Sequence, residues 1–206
     1  MVGNGRYMYT GRFDLDASLA RYLPLNGTFL EVGANDGVLS SNTFSLENAH
    51  NWRGILIEPL PDLYRICRVA RRRSYCVQAA CVREARAGST VEFVAMDDVS
   101  IVRGARLDGD DGWLDRWRGR QQRVIRVPAR TLSSIIDESP FDTVDFMSID
   151  VEGGEFELLA GLDLDRHAPG WMLVETDLPE RLSAVLAPAM EFVEALTFHD
   201  YLYRRA

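Results

Sequence analysis

Short apolar runs closed by glycine or proline alternate along this chain with stretches in which apolar residues recur at helical spacing. Such alternation is typical of strand and helix units wound around a parallel sheet. We predict strands over residues 28–33, 53–58, 75–80, 91–96, 125–127, 144–151 and 171–176, and two more within 192–203. We predict helices over residues 39–50, 62–72, 131–138 and 179–186, and one that follows residue 151 and ends at Leu162. The expected fold class is therefore α/β, built around a parallel sheet.

Length and one polar segment set the expected domain organisation. A chain of 206 residues is by default one domain, so we expect a single domain over residues 1–206. Residues 97–122 turn polar, and four glycines in this segment would break any long helix. We interpret the segment as an insert in that domain.

Charge and cysteine content disfavour several partners and compartments. The chain carries 23 basic and 31 acidic residues, and a net charge of −8 disfavours binding to nucleic acid or to an anionic membrane. No apolar run resembles a signal peptide or a membrane span. Cys67, Cys76 and Cys81 form no C-x-x-C motif and leave one cysteine unpaired, which argues against a zinc site and a secreted disulfide framework. We expect a soluble, cytoplasmic protein.

The predicted strands end in acidic residues. Ligands of parallel sheets bind beyond the carboxyl ends of the strands, where buried carboxylates need partners. At or just beyond four such ends lie Glu31, Glu58, Asp150, Glu152, Glu175 and Asp177. Hydroxyl groups, a cation or a metal ion would satisfy this many carboxylates in one crevice.

The loop after the first strand has its own pattern, with Gly33 and Gly37 on either side of Asn35. A dinucleotide fold would place a glycine at position 35, so that the backbone could approach a pyrophosphate. Acidic residues before the loop and at Glu58 instead fit S-adenosylmethionine, whose ribose Glu58 can hold and whose sulfonium is cationic. The spacing alone also fits an ordinary strand-to-helix turn in which glycine provides backbone freedom.

Five segments resemble the FkbM-type family of S-adenosylmethionine-dependent methyltransferases. They are F-L-E-V-G-A-N-D-G-V-L-S-S-N-T at 29–43, G-I-L-I-E-P at 54–59, V-P-A-R-T-L at 127–132, V-D-F-M-S-I-D-V-E-G-G-E at 144–155 and M-L-V-E-T at 172–176. The resemblance implies a Rossmann-like class I methyltransferase fold, with a seven-stranded, mostly parallel sheet and a terminal antiparallel hairpin. It also implies methylation of a hydroxyl, frequently on a sugar or a polyketide-type product. The composition and the segment S-N-T-F-S-L-E are similar to family members of actinobacteria that methylate mannose-type polysaccharides.

The resemblance also implies which residues contact the cofactor. Glu58 would hold the ribose, and the strand that ends at residue 80 would border the adenine. The complete implied set is Glu31, Gly33, Asn35, Gly37, Ser41, Asn42, Glu58, Gln78, Ala79 and Ala80. The insert at 97–122 matches no family motif and would lie on the substrate side.

Methyl transfer to oxygen requires that the acceptor hydroxyl lose or share its proton, either to a general base or beside a divalent metal. Asp150 and Glu152 are the candidate catalytic residues. Asp150 and Glu175 are the candidate metal ligands, with Asp177 or Glu152 as a third ligand or base. Oxygen ligands of this kind suit Mg²⁺ or Mn²⁺ better than zinc. His199 and Asp200 could orient a base at the crevice rim, although a lone histidine is more often structural.

The leading hypothesis is a metal-assisted O-methyltransferase that acts on a saccharide hydroxyl of the mannoside type. A nicotinamide-dependent oxidoreductase is disfavoured by Asn35 and by the absence of lysine, which excludes a Tyr-x-x-x-Lys pair. A non-catalytic module that keeps the cofactor pocket is the second alternative. The roles of two groups of aromatic residues are undecided. Trp113 and Trp117 could stack on a sugar or form the buried face of a short helix. The N-terminal residues Tyr7, Tyr9 and Phe13 could support a homodimer or pack on their own domain.

Overall fold

A computed structural model of the chain describes residues 10–96, 99–107, 112, 115 and 119–206. Its strands are β1 Thr28–Val32, β2 Arg53–Ile57, β3 Tyr75–Val77, β4 Ala80–Cys81, β5 Thr90–Met96, β6 Val99–Val102, β7 Arg123–Arg130, β8 Phe146–Ile149, β9 Trp171–Glu175, β10 Met190–Ala195 and β11 Asp200–Arg205. The helices described are α1 Leu15–Leu19, α2 Phe44–Ala49, α3 Pro61–Ala70, α4 Leu132–Glu138, α5 Glu155–Leu159, α6 Leu164–His167 and α7 Pro179–Leu186. Two short 3₁₀ turns lie at Arg12–Asp14 and Glu84–Arg86.

The larger sheet contains seven strands in the order β10-β11-β9-β8-β1-β2-β3. The neighbours from β9 to β3 pair in parallel, whereas β11 is antiparallel to both β9 and β10. The predicted seven-stranded sheet with a terminal antiparallel hairpin is therefore confirmed. Because β1 lies between β2 and β8, the loops that follow these three strands meet at one edge of the sheet.

Both faces of the larger sheet are covered, and side chains of one strand alternate between two apolar clusters. Along β1, Leu30 and Val32 join one cluster and Phe29 joins the other. Along β8, Met147 and Ile149 likewise face away from Phe146. Strands buried on both sides are apolar at most positions, which is why these segments could be recognised in the sequence.

A second sheet has four strands in the order β4-β7-β5-β6. The prediction of one strand over residues 75–80 is wrong, because the chain leaves the larger sheet after Val77 and continues as β4 beside β7. The polar stretch predicted as an insert begins with β6, which pairs with β5 and which the sequence analysis missed. The insert's Trp113 and Trp117, like Tyr7 and Tyr9, lie outside the described residues.

Two helix boundaries differ from the predictions for local reasons. The helix predicted from residue 39 begins at Phe44, because the Asp36 carboxylate accepts hydrogen bonds from the N–H groups of Val38 and Leu39 in a turn. The helix predicted to end at Leu162 ends at Leu159. Within the described part of the chain, no helix has the length and apolar character needed to cross a membrane.

Candidate functional site

Two neighbouring cavities lie beyond the carboxyl ends of β1, β2, β8 and β9. The first has a volume of about 250 Å³ and the second of about 280 Å³. Arg12, Ser40 and Asp150 belong to the walls of both. A ligand in the first cavity would therefore lie next to a ligand in the second, with Asp150 between them.

Gly33 allows β1 to end against β8. It has a φ of +85°, and a Cβ atom at this position would lie 2.1 Å from the backbone oxygen of Asp150. Asn35 stands where a dinucleotide fold would have a glycine. It has a φ of +51°, a left-handed conformation that asparagine tolerates. The glycine and the asparagine thus form a tight turn whose backbone lines the first cavity.

Glu58 connects this turn to the end of β2. Its Oε2 accepts a hydrogen bond from the N–H of Asn35 (2.9 Å), and its Oε1 accepts one from the N–H of Leu60 (2.8 Å). The side chain is 6% exposed, and burial raises the pKa of this carboxyl to about 7 although both hydrogen bonds lower it. Each oxygen retains a second lone pair that can accept a hydrogen bond from a ligand hydroxyl.

Glu31 lies behind the turn, in a buried polar network. Its carboxylate accepts hydrogen bonds from the Ser41 hydroxyl (2.8 Å), the Asn42 N–H (2.8 Å) and the Thr43 hydroxyl (2.6 Å). The guanidinium of Arg71, which is fully buried, lies 3.9 Å from the same carboxylate. Glu31 and Ser41 therefore bind each other and hold the loop, and they do not belong to the wall of either cavity.

Asp150 and Glu175 form a carboxyl pair at the junction of the cavities. Asp150 opens onto both cavities and is exposed there, although many protein atoms lie around its carboxyl group. Burial first, and then the negative charges of Glu175 and Glu152, raise the pKa of Asp150 well above its ordinary value. Burial also raises the pKa of Glu175, while its hydrogen bond with Asp150 lowers it. Two neighbouring carboxyls whose pKa values are both raised favour sharing a proton between them.

A negative charge on Glu152 and a positive charge on Arg12 lie near the Asp150–Glu175 pair. Glu152 lines the first cavity with a left-handed φ of +54°, an uncommon conformation that often marks a functional position. Its carbonyl accepts a hydrogen bond from the Arg106 guanidinium (3.2 Å). Burial raises the pKa of both Glu175 and Asp200, and the positive charge of Arg12 counteracts this rise.

The second cavity is lined by polar side chains of both kinds. Glu175 and Asp200 contribute carboxyl oxygens, Arg12 contributes a donor, and Asn42 and His199 also belong to the wall. The Oδ1 atom of Asn42 is buried and has no hydrogen-bond partner among the described residues. At the rim, the rings of Phe13 and Phe198 meet edge to face at 5.9 Å. The arrangement suits a ligand that donates several hydrogen bonds and has an apolar face.

The predicted metal ligands only partly come together. Asp177 lines neither cavity, and its carboxylate lies 3.6 Å from Nδ1 of His199. Within the described ranges, no group of three or more histidine, cysteine, aspartate or glutamate side chains is arranged to hold a metal ion. Of the predicted ligands, Asp150 and Glu175 are the two that the structure brings to the wall of the second cavity.

The structure divides the predicted site residues into three groups. The first cavity brings together Gly33, Asn35, Glu58, Ala80, Asp150 and Glu152. The second brings together Asn42, Asp150 and Glu175. Neither wall contains Glu31, Gly37, Ser41, Gln78, Ala79 or Asp177.

Sequence reasoning missed two residues that line both cavities, Arg12 and Ser40. Gly11 forms an isolated β-bridge with Ser40, and this contact brings the N-terminal segment over the site. No local pattern signals such a contact. Sequence reasoning also missed three residues whose apolar side chains line the first cavity: Leu60, Leu63 and Phe93. Their positions, just after β2 and within β5, could have indicated that they lie near the site.

The family model described as the methyltransferase FkbM domain matches residues 31–204. The chain belongs to the FkbM methyltransferase family. The expected family is thereby confirmed, and membership identifies the chain as an S-adenosylmethionine-dependent methyltransferase. No curated protein matches the chain in its sequence.

Solved structures agree with this fold. The chain is similar to a TehB-like SAM-dependent methyltransferase from Corynebacterium glutamicum, with a TM-score of 0.50 and 9% identity over 93% of this chain and 87% of that one. An O-methyltransferase from Bacillus cereus in complex with SAH has a TM-score of 0.49 and 13% identity, over 93% and 78% of the two chains. Aeropyrum pernix fibrillarin has a TM-score of 0.49 and 13% identity, over 95% and 75%. The strand order and the likeness to the Corynebacterium glutamicum structure show the Rossmann-like class I methyltransferase fold.

Proposed function

We propose that this methyltransferase transfers the methyl group of S-adenosylmethionine to a saccharide hydroxyl, with a mannoside-type acceptor. The observation that carries the proposal is the junction of the two cavities at Asp150. Transfer requires that donor and acceptor lie side by side, and one wall residue shared by two cavities supports that geometry. Together the two cavities reach the range of roughly 300–1,000 Å³ that is typical of small-molecule sites.

The first cavity fits the cofactor. Leu60, Leu63 and Phe93 provide an apolar wall for the adenine ring, and Glu58 provides lone pairs for the ribose hydroxyls. The negative charge of Glu152 and of the Asp150–Glu175 pair attracts the sulfonium. In this arrangement the reactive methyl group points from the first cavity toward the second.

The second cavity fits a polyhydroxylated acceptor. The carboxyl oxygens of Glu175 and Asp200 can accept hydrogen bonds, and sugar hydroxyls donate them. The exposed rings of Phe13 and Phe198 offer an apolar surface for the C–H face of a sugar ring. These features support a saccharide over a purely apolar acceptor.

The transfer step follows from the protonation of the carboxyl pair. The acceptor oxygen forms a bond to the methyl carbon while the carbon–sulfur bond breaks and its electron pair stays on sulfur. We assign Glu175 as the ionised member of the pair, and the hydroxyl proton moves to it. Asp150 keeps the shared proton and holds Glu175 in place.

The proposal includes, as the alternative to the shared proton, a divalent cation, Mg²⁺ or Mn²⁺, that would replace this proton and be held by Asp150 and Glu175. Such an ion lowers the pKa of a hydroxyl that it binds. Asp150 and Glu175 can serve it because their oxygens are in contact and open onto the second cavity. If the ion binds there, chelation lowers turnover, added Mg²⁺ restores it, and Asp177→Asn leaves the metal dependence unchanged. Loss of the metal dependence in Asp177→Asn would instead support the prediction that Asp177 is a third metal ligand.

The test is transfer of a labelled methyl group to mannosides and to partly methylated mannosides. We expect Glu175→Gln to lower turnover by about 100-fold or more, because a general base contributes roughly 10²- to 10⁴-fold. Affinity for S-adenosylhomocysteine should stay within about twofold, since Glu175 does not line the first cavity. Glu180→Gln is the matched control, because Glu180 is exposed on α7, outside both cavity walls.

Three outcomes would overturn this proposal. Full turnover in Glu175→Gln would remove that residue from the mechanism. Tight cofactor binding without product from any glycan would favour the non-catalytic module. Binding of NAD in place of S-adenosylhomocysteine would restore the oxidoreductase alternative.

A further inference from the structure

Two cysteines outside the proposed site are in contact with each other. Cys67 on α3 and Cys76 on β3 are both free thiols, and their Sγ atoms are 4.0 Å apart. Cys67 is buried, with 1% of its surface exposed, whereas Cys76 is half-buried. The methyl-transfer step uses neither thiol.

Cys76 faces a third cavity, on the outer side of α3 and β3. This cavity has a volume of about 410 Å³, and Arg68, Arg72, Tyr64 and Tyr75 belong to its wall. It is separate from the two cavities of the proposed site, because the walls have no residue in common. A small, polar oxidant can therefore reach Cys76 without entering the cofactor cavity.

We propose that Cys67 and Cys76 form a redox-active dithiol, in which Cys76 reacts with a peroxide and Cys67 converts the product to an intramolecular disulfide. The order of the two residues follows from exposure, since Cys76 opens onto the third cavity and Cys67 lies beneath it. The pair thus consists of an accessible thiol with a resolving thiol in contact, which is the arrangement of many redox-sensing cysteines.

The charges around the two thiols support the same order. The hydrogen bond from Cys67, followed by the positive charges of Arg71 and Arg68, lowers the pKa of Cys76, although burial raises it. The same hydrogen bond and burial raise the pKa of Cys67. Because the thiolate is the nucleophile, Cys76 reacts first and Cys67 keeps its proton.

The chemistry balances with hydrogen peroxide as the two-electron oxidant. The Cys76 thiolate attacks one peroxide oxygen, the O–O bond breaks, hydroxide leaves, and Cys76 becomes a sulfenic acid. The Cys67 sulfur then attacks the Cys76 sulfur, and the hydroxyl leaves as water with the Cys67 proton. The sulfur atoms must approach from 4.0 Å to a bond length of about 2.05 Å, so the disulfide forms only if Cys67 moves toward β3.

That movement would reach the glycine loop. The position of a Cβ on Gly37 lies 2.9 Å from the Cys67 Sγ, so this thiol packs directly against the loop. Arg71, one turn further along α3, donates a hydrogen bond to the Gly37 carbonyl (2.8 Å). On the other side, the carbonyl of Val77, next to Cys76, accepts a hydrogen bond from the N–H of Glu58 (3.1 Å). Disulfide formation should therefore weaken cofactor binding, an expectation that rests on the proposed function.

Peroxide treatment of the purified full chain tests the dithiol itself. We expect peptide mapping by mass spectrometry to show a Cys67–Cys76 disulfide, with the loss of two hydrogen atoms. Cys81 should stay reduced, because burial raises its pKa to about 12. C67S should leave a sulfenic acid on Cys76 that dimedone traps, and C81S should form the same disulfide as the wild type.

Absence of the disulfide after peroxide treatment would overturn the proposal, and so would its loss in C81S. Oxidation of Cys81 before Cys76 would overturn the assignment of Cys76 as the thiol that reacts first with peroxide. None of these results depends on the binding of any cofactor.

Calorimetric titration with S-adenosylhomocysteine tests the coupling to the loop. We expect the oxidised protein to bind about tenfold more weakly than the reduced protein, within the usual range for coupling between sites, and a reductant to reverse the change. The double variant C67S/C76S should show no response to peroxide. Equal affinities of the reduced and oxidised forms would overturn the coupling. If the reduced protein did not bind at all, the proposed function would fail, while the disulfide result would stand.

Discussion

At the scale of single residues, Glu58 is poised between two protonation states. Backbone N–H groups of Asn35 and Leu60 occupy one lone pair on each oxygen, and burial raises the pKa to about 7. A ribose hydroxyl donates a stronger hydrogen bond to an ionised carboxylate than to a neutral acid. Cofactor affinity should therefore depend on pH near neutrality.

We predict that affinity for S-adenosylhomocysteine rises between pH 6 and pH 8, by up to about tenfold, because only about a tenth of a group with a pKa of 7 is ionised at pH 6. The contribution of Glu58 to stability has the opposite sign. Its raised pKa favours the folded state below the ordinary value of 4.5, and that contribution is lost as the pH rises through about 7. Calorimetry at several pH values measures the affinity. The slope should vanish in Glu58→Gln, and an equal slope in both proteins would contradict the role of Glu58.

A second residue-scale prediction concerns Gly33, where a Cβ would overlap the backbone oxygen of Asp150 at 2.1 Å. Gly33→Ala should lower the free energy of unfolding by more than about 3 kcal/mol, because β1 and β8 would have to separate. Gly88→Ala is the matched control, since Gly88 also has a positive φ (+80°) but nothing lies within 4 Å of its Cβ position. That change should cost only about 1 kcal/mol for the left-handed backbone. Urea unfolding measures both, and equal losses would show that close strand approach is unimportant.

At the scale of elements, the end of α3 holds the loop between β1 and α2. The buried Arg71 side chain donates hydrogen bonds to the Glu47 carboxylate (2.9 Å), the Gly37 carbonyl (2.8 Å) and the Thr43 carbonyl (3.1 Å). Its guanidinium also lies near the rings of Phe29 and Phe44, at 5.3 and 5.7 Å. One side chain thus fixes several turns of irregular backbone against a helix.

We predict that Arg71→Met lowers the free energy of unfolding by about 3–5 kcal/mol, because the buried carboxylates of Glu31 and Glu47 lose their cationic partner. Arg72→Met is the control, since Arg72 is exposed beside it, and should change the free energy by less than about 0.5 kcal/mol. Chemical denaturation gives both values. A loss below about 1 kcal/mol in Arg71→Met would mean that the loop does not depend on this network.

The elements also differ in how well the sequence predicted them. β1, β2, β8 and β9 are buried on both faces, so their apolar runs were visible without a structure. The break after Val77 was not visible, because residues 75–80 remain apolar while the chain changes sheets. Glu31 was assigned to the cofactor through the family resemblance, yet it faces Arg71, a partner 40 positions away that no local pattern reveals.

At the scale of the whole molecule, the site is assembled from distant parts of the chain. Glu58, Gly33 and Asp150 could be predicted because parallel strands end at one edge of a sheet. Arg12 could not, because it reaches the site through the bridge between Gly11 and Ser40 and through a hydrogen bond from the Thr10 hydroxyl to the Ser41 carbonyl (3.1 Å). Non-local contacts of this kind leave no periodic trace in the sequence. The homodimer and the cytoplasmic location stay predictions.

The proposed mechanism requires that the cavity between the ends of β1 and β2 hold S-adenosylmethionine. Calorimetric titration of the reduced protein with S-adenosylhomocysteine, and in parallel with NAD, tests this assignment. We expect one site per chain with a micromolar dissociation constant for S-adenosylhomocysteine, at least about tenfold weaker binding in Glu58→Ala, and no binding of NAD. Binding of NAD alone, or an affinity unchanged in Glu58→Ala, would contradict it.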